Sequence, residues 1–326
     1  MGNILIINAT VINEERRYQA DIITEGDRIT GIVPAGKGVV PAGGRKIDAS
    51  GLWLIPGVID SHVHFREPGL THKGDIQSES AAAAAGGVTS FMDMPNTIPQ
   101  TTTIREWQLK NETAARKSVI NYSFYLGATN SNREEIAGAD PKKVCGIKVF
   151  LGASTGNMLL DDEKSLDEIF SIGKLPVACH CEDETTIKRN AAAYREEYGD
   201  DIDPAFHPLI RSREACIISS AAAAERARRL NTRLHLLHLS TEEEMELLTP
   251  GDDLSSKRII GEACVHYLWF DDSFYATRRN LIKWNPAIKR ASDMEALREA
   301  VINGKVDIIS TDHAPHTLEE KKNIYT

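Results

Sequence analysis

The sequence has no long hydrophobic run and no excess of basic residues, and both absences exclude classes of protein. No apolar stretch approaches the roughly 20 residues that a membrane-spanning helix needs. The N-terminal residues MGNIL lack the basic segment and apolar run of a secretory signal. A formal net charge of −9 disfavours nucleic acid or an anionic membrane as a partner. We therefore expect a cytoplasmic protein that binds neither.

Cysteine is scarce and shows no pairing pattern. The chain has five cysteines, an odd number, scattered through apolar segments: Cys145, Cys179, Cys181, Cys216 and Cys264. Such a set indicates reduced core thiols rather than a disulfide framework. Cys179 and Cys181 flank His180 in a predicted strand, so alternation points both of them away from that histidine.

The chain divides near Pro56. Before it, short apolar runs at 4–7, 22–24, 29–33 and 39–40 are separated by turn residues, which predicts small antiparallel strands with little core of their own. After it, strand patterns alternate with helix patterns such as the alanine-rich segment 76–86. The predicted strands cover 58–64, 88–94, 119–126, 144–150, 175–181, 233–239, 258–265 and 306–311.

Eight strands in βα alternation favour a closed (β/α)8 barrel of the TIM type. The alternative is an open doubly wound sheet, but no glycine-rich phosphate-binding fingerprint follows any of the strands. The barrel also predicts that chemistry is located at the carboxyl ends of its strands.

The first barrel strand ends in two histidines, within the motif DSHVHFREPG at 60–69. Alternate side chains of a strand share a face, so His62 and His64 point the same way and are suited to one metal ion. By the same alternation Arg66 returns to the histidine side, where its guanidinium can hold a carboxylate with two hydrogen bonds.

Four other strand ends carry polar residues of the same kind. Lys148 interrupts the apolar strand 145–151, and burial of a lysine lowers its pKa towards the neutral amine. His180, His238 and Asp312 end the fifth, sixth and eighth strands. Because these strand ends converge on one mouth of a barrel, the set predicts a site for a metal such as zinc.

The remaining histidines fit other roles. His235 and His313 are predicted to point away from this mouth, His235 in a satisfied or exposed position and His313 in packing. His72 and His207 are predicted to lie at the surface. His266 follows a strand near the rim, where both a structural role and a role supporting a ligand stay open. The acidic cluster 242–244 is predicted to be a solvated, capped helix start.

The chain resembles the amidohydrolase superfamily of metal-dependent cyclic-amide hydrolases, and within it the dihydroorotases of the larger, bacterial-type class. The likeness runs along essentially the whole chain. Its motifs occur in the family's order: PG at 56–57, DSHVHFREPG at 60–69, MPNT at 94–97, IKVF at 147–150, His180, His238, NP at 285–286 and DHAPH at 312–316.

The resemblance implies two metal ions, usually zinc, and a lysine that carries a carboxyl group taken from CO₂ and bridges them. The implied metal ligands are His62, His64, Lys148, His180, His238 and Asp312. The implied substrate contacts are Arg66, Asn96, Asn285 and His316. A homodimer is common among such relatives.

The implied reaction is the reversible closure of N-carbamoyl-L-aspartate to L-dihydroorotate and water, a step of pyrimidine biosynthesis. In the opening direction a hydroxide that bridges the metals attacks the ring amide carbon, and Asp312 acts as general acid and base. Allantoinases and hydantoinases or dihydropyrimidinases share the metal ligands, but their substrates lack the carboxylate that Arg66 would hold. A non-catalytic scaffold stays a third alternative, although no implied ligand is missing.

The C-terminal end departs from the family's pattern. The chain stops at Thr326, soon after the eighth predicted strand, whereas a complete relative continues with a last barrel helix and a return to the β-rich segment. We therefore expect residues 1–55 to be the N-terminal part of a small β-sandwich domain, and residues 56–326 to be a barrel truncated after strand 8.

Overall fold

A computed structural model describes residues 2–152, 158–251 and 253–322 of the protein. The chain forms two compact units, Met1–Val58 and Ile59–Thr326. Each unit has its own hydrophobic cluster, and each is described by itself below.

The first unit is a small β-sheet. Its strands are β1 (Ile4–Asn13), β2 (Arg16–Glu25), β3 (Arg28–Pro34), β4 (Arg45–Asp48) and β5 (Trp53–Leu54). β1, β2 and β3 form an antiparallel meander, as the turn pattern predicts. The meander buries a small cluster of Ala9, Val11, Ala20, Ile22 and Ala49.

Two details of this unit differ from the prediction. β4 and β5 pair with β1 in parallel rather than antiparallel orientation. The apolar run at 39–40 is not a strand, and Val39 is 75% exposed. A buried carboxylate explains this loop, because Asp21 accepts a hydrogen bond from the amide of Gly38 at 2.9 Å and so holds the chain in an irregular path.

The second unit is a parallel barrel, as predicted. Its strands are β6 (Val58–Val63), β7 (Val88–Asp93), β8 (Asn121–Phe124), β9 (Leu126–Gly127), β10 (Ile147–Phe150), β11 (Val177–His180), β12 (Leu234–Leu236), β13 (Ile259–Cys264) and β14 (Ile308–Ser310). β6, β7 and β8 pair in that order, and β9 to β14 pair in chain order. β8 and β9 together form one strand of the barrel, which is interrupted at Tyr125. The amide of His64 donates to the carbonyl of His313 at 2.8 Å, which joins the last barrel strand to the first.

Along the chain, helices lie between or after the barrel strands. They are α1 (Ile76–Ala85), α2 (Ile104–Lys117), α3 (Arg133–Gly138), α4 (Glu163–Phe170), α5 (Glu184–Tyr198), α6 (His207–Ile210), α7 (Arg213–Leu230), α8 (Tyr275–Arg278), α9 (Ala291–Ile302) and α10 (Leu318–Lys321). Short 3₁₀ segments occur at Pro204–Phe206, Glu243–Leu247, Asp272–Phe274 and Arg279–Ile282. α1 and α2 begin with capping boxes, in which the side chains of Asp75 and Thr103 accept hydrogen bonds from amides of the first helical turn. Among the described residues, no helix combines the length and apolarity needed to cross a membrane.

The apolar cluster of the barrel holds the strands in place around their polar ends. It includes Phe91, Phe124, Ile147, Val149 and Leu236, each no more than 1% exposed. Cys179 in β11 and Cys181, which follows that strand, belong to the same cluster, and all five cysteines are free thiols, as predicted. Packing therefore fixes the backbone from which the site's side chains project.

Candidate metal centre and active site

A pocket of about 740 Å³ opens at the carboxyl ends of the barrel strands. The structure brings all ten residues of the predicted site to its lining: His62, His64, Arg66, Asn96, Lys148, His180, His238, Asn285, Asp312 and His316. The predicted metal ligands lie at the bottom of the barrel mouth, and five of the six are less than 9% exposed. Their convergence follows from barrel closure, which brings strand ends from distant parts of the chain together.

Three of these residues converge on one point. Nε2 of His62 and Nε2 of His64 each lie 3.1 Å from the same carboxylate oxygen, Oδ1 of Asp312. Burial by itself would raise the pKa of Asp312, but His62 and His64 outweigh it and hold that pKa well below its usual range. The carboxyl group is therefore an anion throughout the neutral pH range.

Hydrogen bonds on the far side of each ring set the tautomers of the two histidines. Nδ1 of His62 lies 2.8 Å from Oε1 of Glu262, and Nδ1 of His64 lies 2.7 Å from Oδ1 of Asn96. Both partners are acceptors, so a ring in its neutral form carries its proton on Nδ1 and turns the lone pair of Nε2 towards Asp312. Two lone pairs and a carboxylate oxygen then face one another, an arrangement that a cation between them satisfies. The donor set and geometry thus fit a metal ion.

A second histidine pair lies at the carboxyl ends of the neighbouring strands β11 and β12. Nδ1 of His180 is 2.8 Å from Nε2 of His238, and Nε2 of His180 is 2.8 Å from Glu182, which is fully buried. The guanidinium of Arg211 forms an ion pair with Glu182. Burial lowers the pKa of both histidines, which favours the neutral rings that bind metals.

Lys148 lies in β10 among these groups and is 1% exposed. Burial lowers its pKa to about 8, against the opposing influence of Asp312 and Glu262. Its Nζ lies 4.6 Å from the centre of the Phe150 ring. The ammonium form is thus weakened, and a neutral, nucleophilic amine is accessible near neutral pH.

The outer wall of the pocket is basic. Arg66 donates from Nε to the carbonyl of Pro315 at 3.0 Å, and its Nη2 lies 3.1 Å from Nε2 of His316. On the other side of His316, Nζ of Lys73 lies 3.3 Å from Nδ1 and 3.0 Å from Glu320. Burial and the two cations lower the pKa of His316 to about 4, so its ring is neutral. This wall is suited to an anionic group of a substrate.

Strand alternation is not what brings Arg66 to the pocket, because β6 ends at Val63. Arg66 instead has a left-handed backbone with φ of 68°, and a turn redirects its side chain. Gly69 allows that turn to pack closely, since a Cβ there would lie 2.0 Å from the carbonyl oxygen of Ile98. His238 and Asp312 are also left-handed, with φ of 37° and 46°. Such conformations cost of order 1–3 kcal/mol each and concentrate at functional sites.

Several predictions for side chains outside this set were wrong. His207, predicted at the surface, is 2% exposed, because its ring lies 2.6 Å from the carbonyl of Trp284 behind the pocket wall. His313 is not packed in the interior: its side chain is 45% exposed and it lies 2.6 Å from Glu79. Glu244 does act as a cap, as predicted, but it is buried rather than solvated, since it accepts from the amides of Ser240 and Thr241 at 3.0 Å.

His72 is at the surface as predicted, with a side chain that is 59% exposed. His266 is buried and stacks on Trp284 with 4.5 Å between ring centres. The sequence also offers segment 152–158, which follows the lysine strand, as a candidate for a loop that closes over a substrate. Residues 153–157 of that segment lie outside the described residues.

Sequence reasoning missed Glu262, the acceptor behind His62. It is fully buried in β13, within the apolar segment IIGEAC at 259–264. A charged residue inside an apolar strand is the same signal that identified Lys148, and it was available here. His235, left as a satisfied or exposed residue, is 4% exposed and lies 3.1 Å from the same carboxylate.

Comparison with known proteins is consistent with this geometry. The sequence profile described as "Amidohydrolase family" matches residues 53–324. An allantoinase of Streptomyces avermitilis is 32% identical, and the match covers 97% of this chain and 71% of that protein. A dihydroorotase of Methanosarcina acetivorans is 32% identical, with 98% and 69% covered. A dihydroorotase of Pediococcus pentosaceus is 30% identical, with 98% and 73% covered.

A solved structure also matches. The L-hydantoinase (dihydropyrimidinase) of Arthrobacter aurescens superposes with a TM-score of 0.91 at 25% identity, covering 99% of this chain and 71% of that one. The L-hydantoinase therefore shares the fold of this chain, and the names of the similar proteins point to hydrolysis of cyclic amides. Dihydroorotase is the most frequent name among the curated relatives.

Proposed function

The chain belongs to the amidohydrolase family and is a metal-dependent cyclic amide hydrolase, and we propose that its substrate is L-dihydroorotate. The reaction is then the reversible conversion of dihydroorotate and water to N-carbamoyl-L-aspartate. The observation that carries the proposal is Arg66, a buried cation on the pocket wall beside His316.

The chemistry of the substrates connects Arg66 to this choice. Dihydroorotate keeps a free carboxylate in both directions of the reaction, whereas allantoin, hydantoins and dihydropyrimidines lack that group. A buried guanidinium that meets a neutral ring would lose hydration without gaining an ionic partner. Lys73, which pairs with Glu320 at 3.0 Å, and Lys283 also line this pocket, in a protein whose formal net charge is −9. The local charge therefore favours an anionic substrate over a neutral one.

We propose that two zinc ions are held by His62, His64, Lys148, His180, His238 and Asp312. Lys148 would contribute as a carbamate after its neutral amine reacts with CO₂, which converts a weak donor into a carboxylate. Zinc held there supplies Lewis acidity, making water acidic enough to react near neutral pH and polarising the amide oxygen.

The residues of the chain would divide the remaining work. Arg66 and Asn96, with His316, hold the carboxylate, and Asn285 contacts the substrate, which positions the amide carbon for attack. Asp312 takes a proton from the attacking water while the new C–O bond forms. It then gives that proton to the ring nitrogen as the C–N bond breaks. The opened product carries a ureido group and a new carboxylic acid, which loses its proton to solvent and becomes a carboxylate, so atoms and charge balance.

A hydrolysis assay on three rings tests the proposal. The zinc-reconstituted chain is expected to open L-dihydroorotate with a kcat/KM at least tenfold above that for allantoin or dihydrouracil. Preference for either neutral ring would refute the assignment and favour an allantoinase or a hydantoinase. The allantoinase relative, 32% identical over 97% of this chain, makes allantoin the first competitor to include.

Four further properties belong to this proposal. Metal analysis is expected to find two zinc ions per chain, and intact mass is expected to show the added CO₂ of carbamylated Lys148. Light scattering is expected to give the mass of a homodimer. We also propose that the chain is organised as residues 1–55, part of a small β domain, and 56–326, the barrel, and limited proteolysis between the two tests this division.

A further inference from the structure

One buried carboxylate contacts both halves of the predicted metal centre. Oε1 of Glu262 lies 2.8 Å from Nδ1 of His62 and accepts a hydrogen bond from the backbone amide of His238 at 3.2 Å. His62 belongs to the group around Asp312, and His238 to the pair with His180. Glu262 itself is fully buried, so it meets these groups without competition from water.

A third histidine lies behind this carboxylate. Nε2 of His235 lies 3.1 Å from Oε2 of Glu262, and His235 is itself 4% exposed. The two oxygens of Glu262 therefore have separate roles, one facing the site and one facing away from it. Sγ of Cys264 lies 3.6 Å from Oε1 and can donate a weak hydrogen bond to it. The hydrogen-bonded contacts of the carboxylate thus fall on Oε1, while Oε2 faces the ring of His235.

We propose that Glu262 and His235 are positioning residues that organise both halves of the metal centre. Glu262 keeps the proton of His62 on Nδ1, which leaves Nε2 to the metal. Through the amide of His238 it also holds a residue whose φ is 37° and whose backbone would otherwise relax. His235 fixes the orientation of Glu262. This inference rests on the metal centre proposed above, and it extends that centre to two residues outside its predicted set.

Glu262 supports the ligands and is not one of them. It approaches His62 at Nδ1, while Nε2 of the same ring faces Asp312 on the pocket side. Cys264 lies near enough to complete a cluster with His62 and Glu262, but its Sγ lies 3.6 Å from Oε1 of Glu262 and 3.2 Å from Oγ of Ser310, distances at which it hydrogen-bonds to both groups. Acceptors behind metal-binding histidines set ring orientation, and their removal typically costs about 10–100-fold in metal affinity.

A second carboxylate in the structure provides an internal comparison. Glu182 contacts His180 at 2.8 Å and is fully buried, like Glu262, but its contacts with the predicted ligands are confined to that one histidine among the described residues. Substitution of Glu182 should therefore weaken one metal position, whereas substitution of Glu262 should weaken both. Glu244 is a matched control, since it is a buried glutamate that caps a turn and contacts serine and threonine groups.

The test is a titration of the metal-free chain with Co²⁺ in competition with a chelating dye, read by the visible spectrum of bound cobalt. Glu262→Gln is expected to lower the affinity of both cobalt equivalents about 10–100-fold and to shift the spectrum. His235→Gln should change both in the same direction by a smaller factor, and Glu182→Gln should affect one equivalent. Glu244→Gln should leave the affinity and the spectrum unchanged.

The melting temperature of each metal-free variant separates positioning from folding. If Glu262→Gln does not fold, the folded His235→Gln variant decides the question. Wild-type affinity and spectrum in the folded Glu262 variant, or in His235→Gln when that variant decides, would overturn the inference while leaving the metal centre in place. Losses no larger than those of Glu244→Gln would overturn it too. A wild-type chain that binds no cobalt would instead refute the proposed metal centre itself.

Discussion

Replacement of Arg66 by methionine tests the substrate assignment at the atom level. Arg66 is 7% exposed, and its guanidinium is fixed by the carbonyl of Pro315 and by His316. Methionine keeps a similar length and occupies the same left-handed backbone at no greater cost, but it removes the charge and the donors. The change therefore isolates the interaction with the substrate's carboxylate.

The expected magnitude follows from burial. Removing one partner of a buried, hydrogen-bonded charge pair costs about 2–5 kcal/mol. The pocket is open to water on one side, so we take a value near the lower end, about 3 kcal/mol, or roughly a hundred-fold in kcat/KM. The loss should fall mainly on KM if the carboxylate is held equally in the ground and transition states. Turnover of a neutral ring such as dihydrouracil should change less than about threefold.

The assay follows dihydroorotate opening by the variant at matched zinc content, which is measured on the same sample. Lys73→Met is the matched control, because Lys73 lines the same pocket and also lies beside His316. It removes one positive charge without removing the guanidinium and should cost only a few fold. Unchanged dihydroorotate turnover in Arg66→Met would refute the reasoning. Equal losses in the two variants would show that the general field, and not a direct contact, recognises the substrate.

Three further predictions concern metal binding and stability. Lys148→Met should lower bound zinc to one equivalent or less per chain, measured by elemental analysis, and normal zinc content would contradict its role as a ligand. Burial lowers the pKa of His207 to about 3, below the value of about 6.5 expected for the unfolded chain, so its stabilising contribution is complete above pH 6.5 and declines as the pH falls. Between pH 7 and pH 5 wild type should therefore lose about 2 kcal/mol more unfolding free energy than His207→Gln in urea titrations, and parallel pH curves would contradict this. Lys110 forms a buried ion pair with Asp93 and donates to the carbonyl of Met94 at 2.8 Å. Lys110→Met should therefore lower the unfolding free energy by about 3–5 kcal/mol in the same urea titrations. A loss below about 1 kcal/mol would contradict the pairing.

Local patterns in the sequence were enough to predict the barrel and the set of residues at its mouth. Strand and helix periods depend on neighbouring residues, and a polar side chain that ends an apolar strand is visible without any knowledge of its partners. That is why His62, Lys148, His180 and Asp312 could be named in advance. In the structure all four line one pocket. The antiparallel start of the first unit was predicted on the same local basis.

Predictions failed where a side chain's environment depends on residues distant in the chain. His207 was expected at the surface because it lies at the entry to a helix, but it is buried and its ring contacts the carbonyl of Trp284, 77 residues away. Glu244 was predicted to belong to a solvated acidic run, but it is buried and accepts a hydrogen bond from the hydroxyl of Ser220, 24 residues earlier. Period and composition carry no information about such partners.

The sequence by itself determined the order of strands and helices, the polar residues at the strand ends and the basic residue after the first strand. These are consequences of short-range sterics and hydrophobic periodicity, which act within a few residues. Only the tertiary structure decided that the turn at Arg66 directs its side chain into the pocket and that Glu262 lies behind His62. Glu262 and His62 are separated by 200 residues, and closure of the barrel is what brings them within 2.8 Å. The site residues can therefore be recognised from local sequence, whereas their tautomers, pKa values and orientations are properties of the folded barrel.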